Sequence, residues 1–212
     1  MQKSISYSQT EIIDSIRILY LQGNQIELDP MYSKGSMYGK GSGPVYKLDL
    51  APMALDVERG NAMGMRFKNK TINSMILDPP WLIHAEGSKS KMGNRFTTLP
   101  SKEDLVYLLR GIIKEAARVL KQDGILILKI QDTIHNRRKL FLSHIVMSLA
   151  INAGFNPLDE FILIAKSRMR SKSQTGFITN ASHSWHCSFI VFRKKKSRTL
   201  QDITSARSRN DQ

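Results

Sequence analysis

The sequence predicts an α/β fold, with one domain built on a mostly parallel sheet that helices cover on both faces. Strand-like and helix-like segments alternate along the 212 residues, as they do when helices connect parallel strands. Residues 74–77 and 125–130 form continuous apolar runs, which are typical of strands buried on both faces. The chain is long enough for one well-formed core. We therefore expect a single domain over residues 1–193 and a basic, disordered tail over residues 194–212.

The first half of the chain is predicted to contain one helix and four short strands. Apolar residues recur at helical spacing over residues 10–22, where Ser8 or Thr10 can cap a helix and Gly23 can end it. Residues 1–8 show no such pattern and are expected to be loose. The four strands are predicted at residues 25–29, 45–50, 55–59 and 74–77. The connection between the second and third of these strands is too short for a helix, so the fold should be trimmed of some helices.

The second half is predicted to contain two helices and three strands. The helices are predicted at residues 102–121 and 140–153, and the strands at residues 125–130, 160–165 and 188–192. Ser101 can cap the first helix, Gly154 can end the second, and Asp123-Gly124 is typical of a turn between helix and strand. Only a basic loop, residues 166–185, connects the last two strands. Because this loop need not contain a crossover helix, those strands can pair antiparallel.

The composition indicates a protein that meets polyanions in a reducing compartment. The formal net charge of +14 favours nucleic acid as a partner, with an anionic membrane surface as the second choice. Cys187 is the single cysteine, so an intrachain disulfide is excluded and a cytoplasmic location, nucleoid or nucleus included, is expected. No apolar run approaches the roughly 18 residues of a membrane span, and the N-terminus lacks the apolar core of a signal peptide.

Two other chemistries find little support in the sequence. His183 and His186 are close in sequence, but no cluster of carboxylates or thiolates accompanies them, so no metal site is predicted. The glycine-rich loop that ends in Gly-Lys-Ser/Thr is absent, which argues against nucleotide hydrolysis.

The tetrapeptide Asp78-Pro79-Pro80-Trp81 directly follows the apolar run at residues 74–77. In open α/β sheets, ligands bind at the carboxyl ends of the strands. There the Asp78 carboxylate and the Pro79 carbonyl can accept the two N–H bonds of an aromatic amine, while the prolines keep the backbone rigid. Trp81 offers a ring face on which a base can stack. The alternative is a strand that the prolines end, with Trp81 in the core.

This motif and its surroundings resemble the class I S-adenosyl-L-methionine-dependent methyltransferases, specifically the [DNS]-PP-[YFW] aminomethyltransferases. The resemblance extends from about residue 25 to residue 194, and residues 118–126 are similar to the family's helix, turn and strand. It implies a Rossmann-like sheet with an antiparallel last strand and S-adenosyl-L-methionine as the cofactor. It also implies a catalytic role for the four motif residues, Asp78, Pro79, Pro80 and Trp81.

The same resemblance implies cofactor-binding residues in three segments. Asp49 takes the position of the acidic residue that binds the ribose hydroxyls in the family. Asn61, followed by Ala62, stands where the family has an acidic residue that contacts the cofactor adenine, and an amide oxygen can still accept that bond. The usual glycine-rich Gly-x-Gly loop is absent, and residues 28–38 are its replacement.

Within residues 28–38, three residues are candidates for contact with the cofactor. Gly35 would let the backbone approach it closely. Asp29 or Lys34 could meet its amino acid end. The alternative is an ordinary loop rich in turn residues.

Polar and basic side chains predict a nucleic-acid surface around the motif. The loop at residues 82–100 contains Lys89, Lys91 and Arg95. Residues 129–132, which include Lys129 and Gln131, resemble a segment of small phage and bacterial relatives and would face the substrate, although Asp132 could instead cap a helix. The basic loop contributes cations and rings that suit phosphates and bases, namely Arg168, Arg170, Lys172, His183, Trp185 and His186. A solvated charged loop is the alternative.

Together these features predict S-adenosyl-L-methionine-dependent methylation of an exocyclic amine in nucleic acid, with N6 of adenine in DNA as the first choice. The same chemistry on RNA is the main alternative. A catalytically silent methyltransferase fold that binds nucleic acid is a second alternative, and methylation of a glutamine side chain ranks low. Because no separate target-recognition domain is evident, the loop at residues 82–100 and the basic loop must read the target, or a homodimer or a partner subunit must supply recognition.

Overall fold

The computed structural model describes residues 2–83, 99–165 and 181–196. In these ranges the helices are α1 (Gln9–Tyr20), α2 (Lys102–Val119) and α3 (Leu142–Asn152). The strands of the first half are β1 (Ile5–Ser6), β2 (Leu28–Asp29), β3 (Tyr46–Asp49), β4 (Glu58–Arg59) and β5 (Ile72–Leu77). Those of the second half are β6 (Leu120–Ile130), β7 (Thr133–His135), β8 (Arg138–Leu140), β9 (Phe155–Ile164) and β10 (His186–Lys194).

Eight of these strands form one sheet in the order β1-β9-β10-β6-β5-β2-β3-β4. All neighbours pair in parallel except β10, which runs antiparallel to both β6 and β9. The mostly parallel sheet with an antiparallel last strand is therefore confirmed. The chain moves outward from β2 through β3 to β4 and then returns to place β5 beside β2. This reversal is the topological switch point at which open α/β sheets bind ligands.

Helices cover the two faces of the sheet unequally. The larger core cluster lies under α2 and α3 and includes the fully buried Leu109, Ile112 and Val146. The smaller cluster lies under α1 and includes Ile13 and Ile16. Within residues 30–71, which link β2 to β5, the structure contains no helix. The prediction of a trimmed fold is confirmed in this stretch.

Hydrogen bonds and an ion pair formed by Arg118 and Glu115 hold residues 65–67 of this helix-free stretch against α2. The guanidinium of Arg118 donates to the backbone carbonyls of Met65 and Phe67 at 3.0 and 2.8 Å and to the Glu115 carboxylate at 2.6 Å. The Glu115 carboxylate also accepts from the Met65 backbone N–H at 2.6 Å. Hydrogen bonding to Arg118 lowers the pKa of Glu115 despite its burial. These contacts fix the chain between β4 and β5, where no helix packs on the sheet.

Two expectations for the chain ends need correction. Residues 1–8 are not wholly loose, because Ile5 and Ser6 form β1 and pair in parallel with Ile162 and Leu163 of β9. The domain also extends beyond residue 193, since Lys194 pairs with Phe155 at the end of β10. Its side chain donates to the Leu120 carbonyl at 2.6 Å. The remaining tail, residues 197–212, lies outside the described residues.

Two local features were also misjudged. Asp123-Gly124 is not a turn between two elements but an irregularity within β6, which begins at Leu120, with Asp123 at a φ of 60°. A second sheet, the hairpin of β7 and β8, was not predicted at all. It follows β6 and therefore stands at the carboxyl edge of the main sheet.

Candidate functional site

The site lies at the switch point, where four strands bring chemically active side chains to one edge of the sheet. Asp29 ends β2, Asp49 ends β3, and Asp78 directly follows β5. Lys129 is the penultimate residue of β6. The carboxylates are close enough that Asp78 and Asp49 both raise the pKa of Asp29 electrostatically. The edge is thus locally acidic in a chain that is basic overall.

Asp78 forms the central ion pair of this edge. Lys129 donates from Nζ to Oδ2 of Asp78 at 2.8 Å, and their side chains are 17% and 24% exposed. The two residues follow Leu77 and Leu128, which pair in register between β5 and β6. Each carboxylate oxygen has two lone pairs, so Asp78 keeps capacity to accept further hydrogen bonds from a ligand.

The rest of the motif is anchored in the fold. Pro79 is buried, and Pro80 and Trp81 are partly buried. The Trp81 ring packs against the larger core cluster, so the core alternative holds for part of the ring. Beyond it, the Leu99 backbone N–H donates to the Leu82 carbonyl at 2.9 Å. Lys89, Lys91 and Arg95 lie outside the described residues.

Asp29 is completely buried and is satisfied by the loop that follows it. Its Oδ1 accepts from the Met31 backbone N–H at 2.9 Å, and its Oδ2 accepts from the Tyr38 hydroxyl at 2.6 Å. Burial raises the pKa of Asp29 to about 7, although the hydrogen bonds from Tyr38 and Met31 oppose the shift. The pKa of Tyr38 is raised as well, chiefly by burial. Asp29 therefore ties residues 31–38 to the sheet edge.

We expect Asp29 to make the protein less stable as the pH rises from about 5 to 7. Its folded-state pKa lies above the ordinary value of 3.8, so in this interval the unfolded chain has released a proton that the folded chain still holds. The free energy of unfolding should fall by up to about 1.4 kcal/mol per pH unit and level off above pH 7. Urea titrations of the wild type and Asp29→Asn test this, because the variant should lose that slope. If the free energy of unfolding falls equally with pH in the two proteins, the raised pKa of Asp29 is contradicted.

Asp49 connects the loop after β2 to the end of β3. Its Oδ2 accepts from the Ser33 backbone N–H at 2.8 Å and its Oδ1 from the Ala51 backbone N–H at 2.9 Å. Asn61 is exposed, and its Oδ1 accepts from the Met63 backbone N–H at 2.9 Å, while Ala62 is buried. Asp49 thus lies at the ligand edge, and the Asn61 oxygen accepts in a local turn while keeping a second lone pair.

The loop residues Lys34 and Gly35 differ in their surroundings. Lys34 is exposed. Gly35 has a φ of +64°, and a Cβ there would lie 2.2 Å from the Tyr32 ring. Tyr32 in turn stacks on Tyr38, with ring centroids 5.7 Å apart. The packing of Tyr32 is therefore a sufficient reason for the glycine, and contact of Gly35 with a cofactor stays a prediction.

Only part of the predicted nucleic-acid surface falls within the described residues. Lys129 is engaged with Asp78, so its role is at the motif itself. Gln131 donates from Nε2 to the Ser184 carbonyl at 3.4 Å, and Trp185 is 50% exposed. His183 is described as well and lies in the same segment before β10. Arg168, Arg170 and Lys172 lie outside the described residues.

Asp132 caps helix α3, which is the alternative to a position facing the substrate. Its Oδ1 accepts from the Ser143 backbone N–H at 2.9 Å, so it caps the first turn of α3. The residue at the helix boundary, Phe141, makes no side-chain cap of its own. The side chain of Asp132 therefore faces the helix.

Two contributions to the edge were not predicted. Tyr38 was not singled out, although a tyrosine nine residues after a strand-ending Asp could have suggested a partner. Lys139 of β8 donates from Nζ to the Ser184 hydroxyl at 2.6 Å and to the Ser182 carbonyl at 3.2 Å. It joins the hairpin to the segment before β10, and no sequence signal marked that contact.

In the described ranges no group of three or more His, Cys, Asp or Glu side chains is arranged to bind a metal ion. No helix in the same ranges is long and apolar enough to span a membrane. Cys187 packs against the smaller core cluster, and burial raises its pKa to about 11. A cavity of about 260 Å³ beside Tyr32 and Tyr38 is lined by neither Asp49 nor Asp78.

Comparison with solved structures identifies the fold. A 1,6-didemethyltoxoflavin-N1-methyltransferase from Burkholderia thailandensis, with bound 1,6-didemethyltoxoflavin and S-adenosylhomocysteine, is 12% identical, with a TM-score of 0.52 over 90% of this chain and 80% of that chain. A protein from Pyrococcus horikoshii is also 12% identical, with a TM-score of 0.50 over 88% and 90%. The chain therefore has the Rossmann-like class I methyltransferase fold that the sequence predicted.

A candidate DNA modification methylase from Thermus thermophilus is also similar. It is 16% identical, with a TM-score of 0.45 over 74% of this chain. The chain spans 58% of the length of that protein. No protein-family model matches the sequence, and no curated protein matches it either.

Proposed function

We propose that the protein transfers a methyl group from S-adenosyl-L-methionine to an exocyclic amine of a nucleic-acid base, and that N6 of adenine in DNA is the target. One observation carries the proposal: Asp78, with the prolines behind it, stands at the switch point of a class I methyltransferase sheet. That is the place where a ligand in such a sheet would meet an acceptor of amine hydrogen bonds.

The residues around the crevice fit the cofactor in its charge and its hydroxyl groups. When bound, S-adenosyl-L-methionine supplies an electrophilic methyl group on a cationic sulfonium. Asp49 and Asp78 place carboxylates at this edge, where Lys129 offsets part of the Asp78 charge, and Asp29 adds a charge only as it ionises near pH 7. The remaining negative potential suits a cation. Asp49 lies at the end of β3 and retains lone pairs for ribose hydroxyls.

Asp78 and Pro79 would orient the amine that receives the methyl group. The Asp78 carboxylate accepts one N–H bond and the Pro79 carbonyl the other, which turns the nitrogen lone pair toward the methyl carbon. Lys129 holds the carboxylate in place through Oδ2. With a methyl sulfonium bound, Asp78 and Pro79 would hold the amine for transfer of the methyl group, and the Asp78 carboxylate would accept the N–H proton that the amine loses and pass it to water. Holding the reactants in line accounts for much of such a rate enhancement.

The basic charge supports nucleic acid as the substrate. The net charge of +14 coexists with an acidic crevice, so cations outside the crevice are available for phosphates. The exposed Trp185 lies in the segment that leads into β10 and directly follows Ser184, whose carbonyl accepts from Gln131. A ring in that position could stack on a base that has left its helix. RNA offers the same amine and the same phosphates.

A second candidate function is that of a silent subunit that binds nucleic acid for an active partner. The ion pair favours it, because Lys129 already occupies one oxygen of Asp78 at 2.8 Å. Asn61 favours it as well, since this amide stands where the resembled family has an acidic residue. Cofactor binding separates the two functions.

Asp49→Ala should weaken binding of S-adenosyl-L-methionine about 10- to 100-fold, because a hydrogen bond to a charged group contributes about 1.5–3 kcal/mol. Isothermal titration calorimetry of the full chain measures this. Asp56→Ala is the matched control, since Asp56 is an exposed Asp that pairs with Lys47 at 2.5 Å. Equal affinities in the two variants would remove Asp49 from the cofactor site. A folded wild type that binds no cofactor would favour the silent subunit.

A further inference from the structure

The β7–β8 hairpin is a basic projection at the same edge of the sheet as Asp78. Its first strand begins three residues after Ile130, the last residue of β6. Asn136, Arg137 and Arg138 are exposed at its tip. Residues 133–140 contain no acidic side chain, and Asp132 just before them is turned toward α3. The hairpin therefore carries positive charge and has no acidic side chain of its own.

The hairpin is fixed to the body of the protein at its base. Lys139 bonds to Ser184 and Ser182, and Gln131 bonds to the Ser184 carbonyl. Because that segment leads through Trp185 into β10, the hairpin and the exposed ring belong to one surface. A fixed projection holds its charges in one place, which suits a repeated ligand such as a phosphate backbone better than a loose loop does.

The hairpin turn has Arg137 at a position where glycine would avoid backbone strain. Asn136 and Arg137 have φ values of 47° and 62°, as a two-residue hairpin turn with both residues left-handed requires. Such turns favour glycine at the second position, and a residue with a side chain costs about 1–2 kcal/mol there. Strain of this kind is usually retained at sites of function. The side chain of Arg137 is thus the feature that needs a reason.

We propose that the β7–β8 hairpin anchors the sugar–phosphate backbone of the substrate through Arg137 and Arg138, a proposal that rests on the nucleic-acid function given above. A strand of three residues rises about 10 Å. Successive nucleotides are about 3.4 Å apart along one strand, so the length of the hairpin matches about three nucleotide steps. The hairpin would fix the register of the substrate while the motif acts on the base.

Fluorescence anisotropy with a fluorescein-labelled 20-nucleotide DNA, single-stranded and duplex, tests the anchor between 50 and 200 mM NaCl. Arg137→Gly combined with Arg138→Gln should bind at least about tenfold more weakly at low salt. The slope of log K against log salt should fall by about 1.8 on the duplex and about 1.4 on the single strand, because two phosphate contacts are lost. Arg137→Gly alone should melt no lower than the wild type, since the glycine relieves the turn.

Lys68→Gln combined with Lys114→Gln is the matched control, because it removes two exposed cations from other parts of the surface. Its salt slope should equal that of the wild type. If the hairpin variant keeps the slope of this control, the anchor is overturned. Methyl transfer by the wild type is measured on the same DNA, so a lack of transfer with an intact hairpin effect would count against the proposed function alone.

Discussion

Replacing Asp78 with alanine is expected to lower kcat for methyl transfer by at least about 10³-fold, as losing a group that orients the reacting atoms typically does. The substitution should leave phosphate-driven binding largely unchanged, because Asp78 is an anion and contributes no cation to phosphate contacts. The kcat of Asp78→Asn should lie between those of Asp78→Ala and the wild type, because the amide oxygen of Asn keeps one acceptor for the amine. Radiolabelled methyl transfer under saturating cofactor measures all three proteins.

Asp14→Ala is the matched control for this loss. Asp14 is an acidic residue on α1 that pairs only locally with Arg17 at 3.1 Å and is 48% exposed. Its turnover should equal that of the wild type. Circular dichroism and DNA binding show whether Asp78→Ala is folded. If a folded Asp78→Ala protein turns over at the wild-type rate, the motif does not have the catalytic role proposed for it.

The largest expected effect on stability comes from Phe192→Ala in the antiparallel strand β10. Phe192 is fully buried in the larger core cluster, and its ring lies edge-on to Phe155 with centroids 6.4 Å apart. The change should reduce the free energy of unfolding by about 3–5 kcal/mol, because it removes buried apolar surface and leaves a cavity. At about 2–4 °C per kcal/mol for a domain of this size, the Tm should fall by roughly 10 °C.

Phe141→Ala makes the same chemical change at a residue that is 51% exposed. It should cost less than about 1 kcal/mol. Differential scanning calorimetry compares the two variants with the wild type. If Phe192→Ala and Phe141→Ala lose similar amounts of unfolding free energy, β10 does not join α3 and the sheet in one core.

The parts of the fold that the sequence predicts are those with strong local patterns. The apolar run of β5 and the amphipathic helix α2 start within two residues of their predicted positions. β1 could not be predicted, because two residues make a strand only when β9, about 150 positions away, is beside them. The β7–β8 hairpin was missed because its turn is Asn136-Arg137 rather than Asn-Gly.

The site shows the same division between local and distant information. Asp78 and Lys129 were both singled out, but as a catalytic residue and a nucleic-acid contact. Their ion pair depends on the register of β5 against β6, which no local pattern contains. The bond between Tyr38 and Asp29 depends likewise on how residues 31–38 fold back over the sheet edge. Residue types and strand ends are readable from sequence, whereas pairings across the edge are not.

Nucleoside mass spectrometry after methyl transfer tests the central claim most directly. The full chain is incubated with S-adenosyl-L-methionine that carries a deuterated methyl group, together with unmethylated DNA and RNA, and both polymers are digested to nucleosides. The account predicts deuterated N6-methyl-2′-deoxyadenosine from the DNA, and none with Asp78→Ala. Label in N6-methyladenosine from the RNA instead would contradict the choice of DNA but keep the chemistry. No labelled nucleoside from either polymer, with a folded protein that binds the cofactor, would contradict the proposed function.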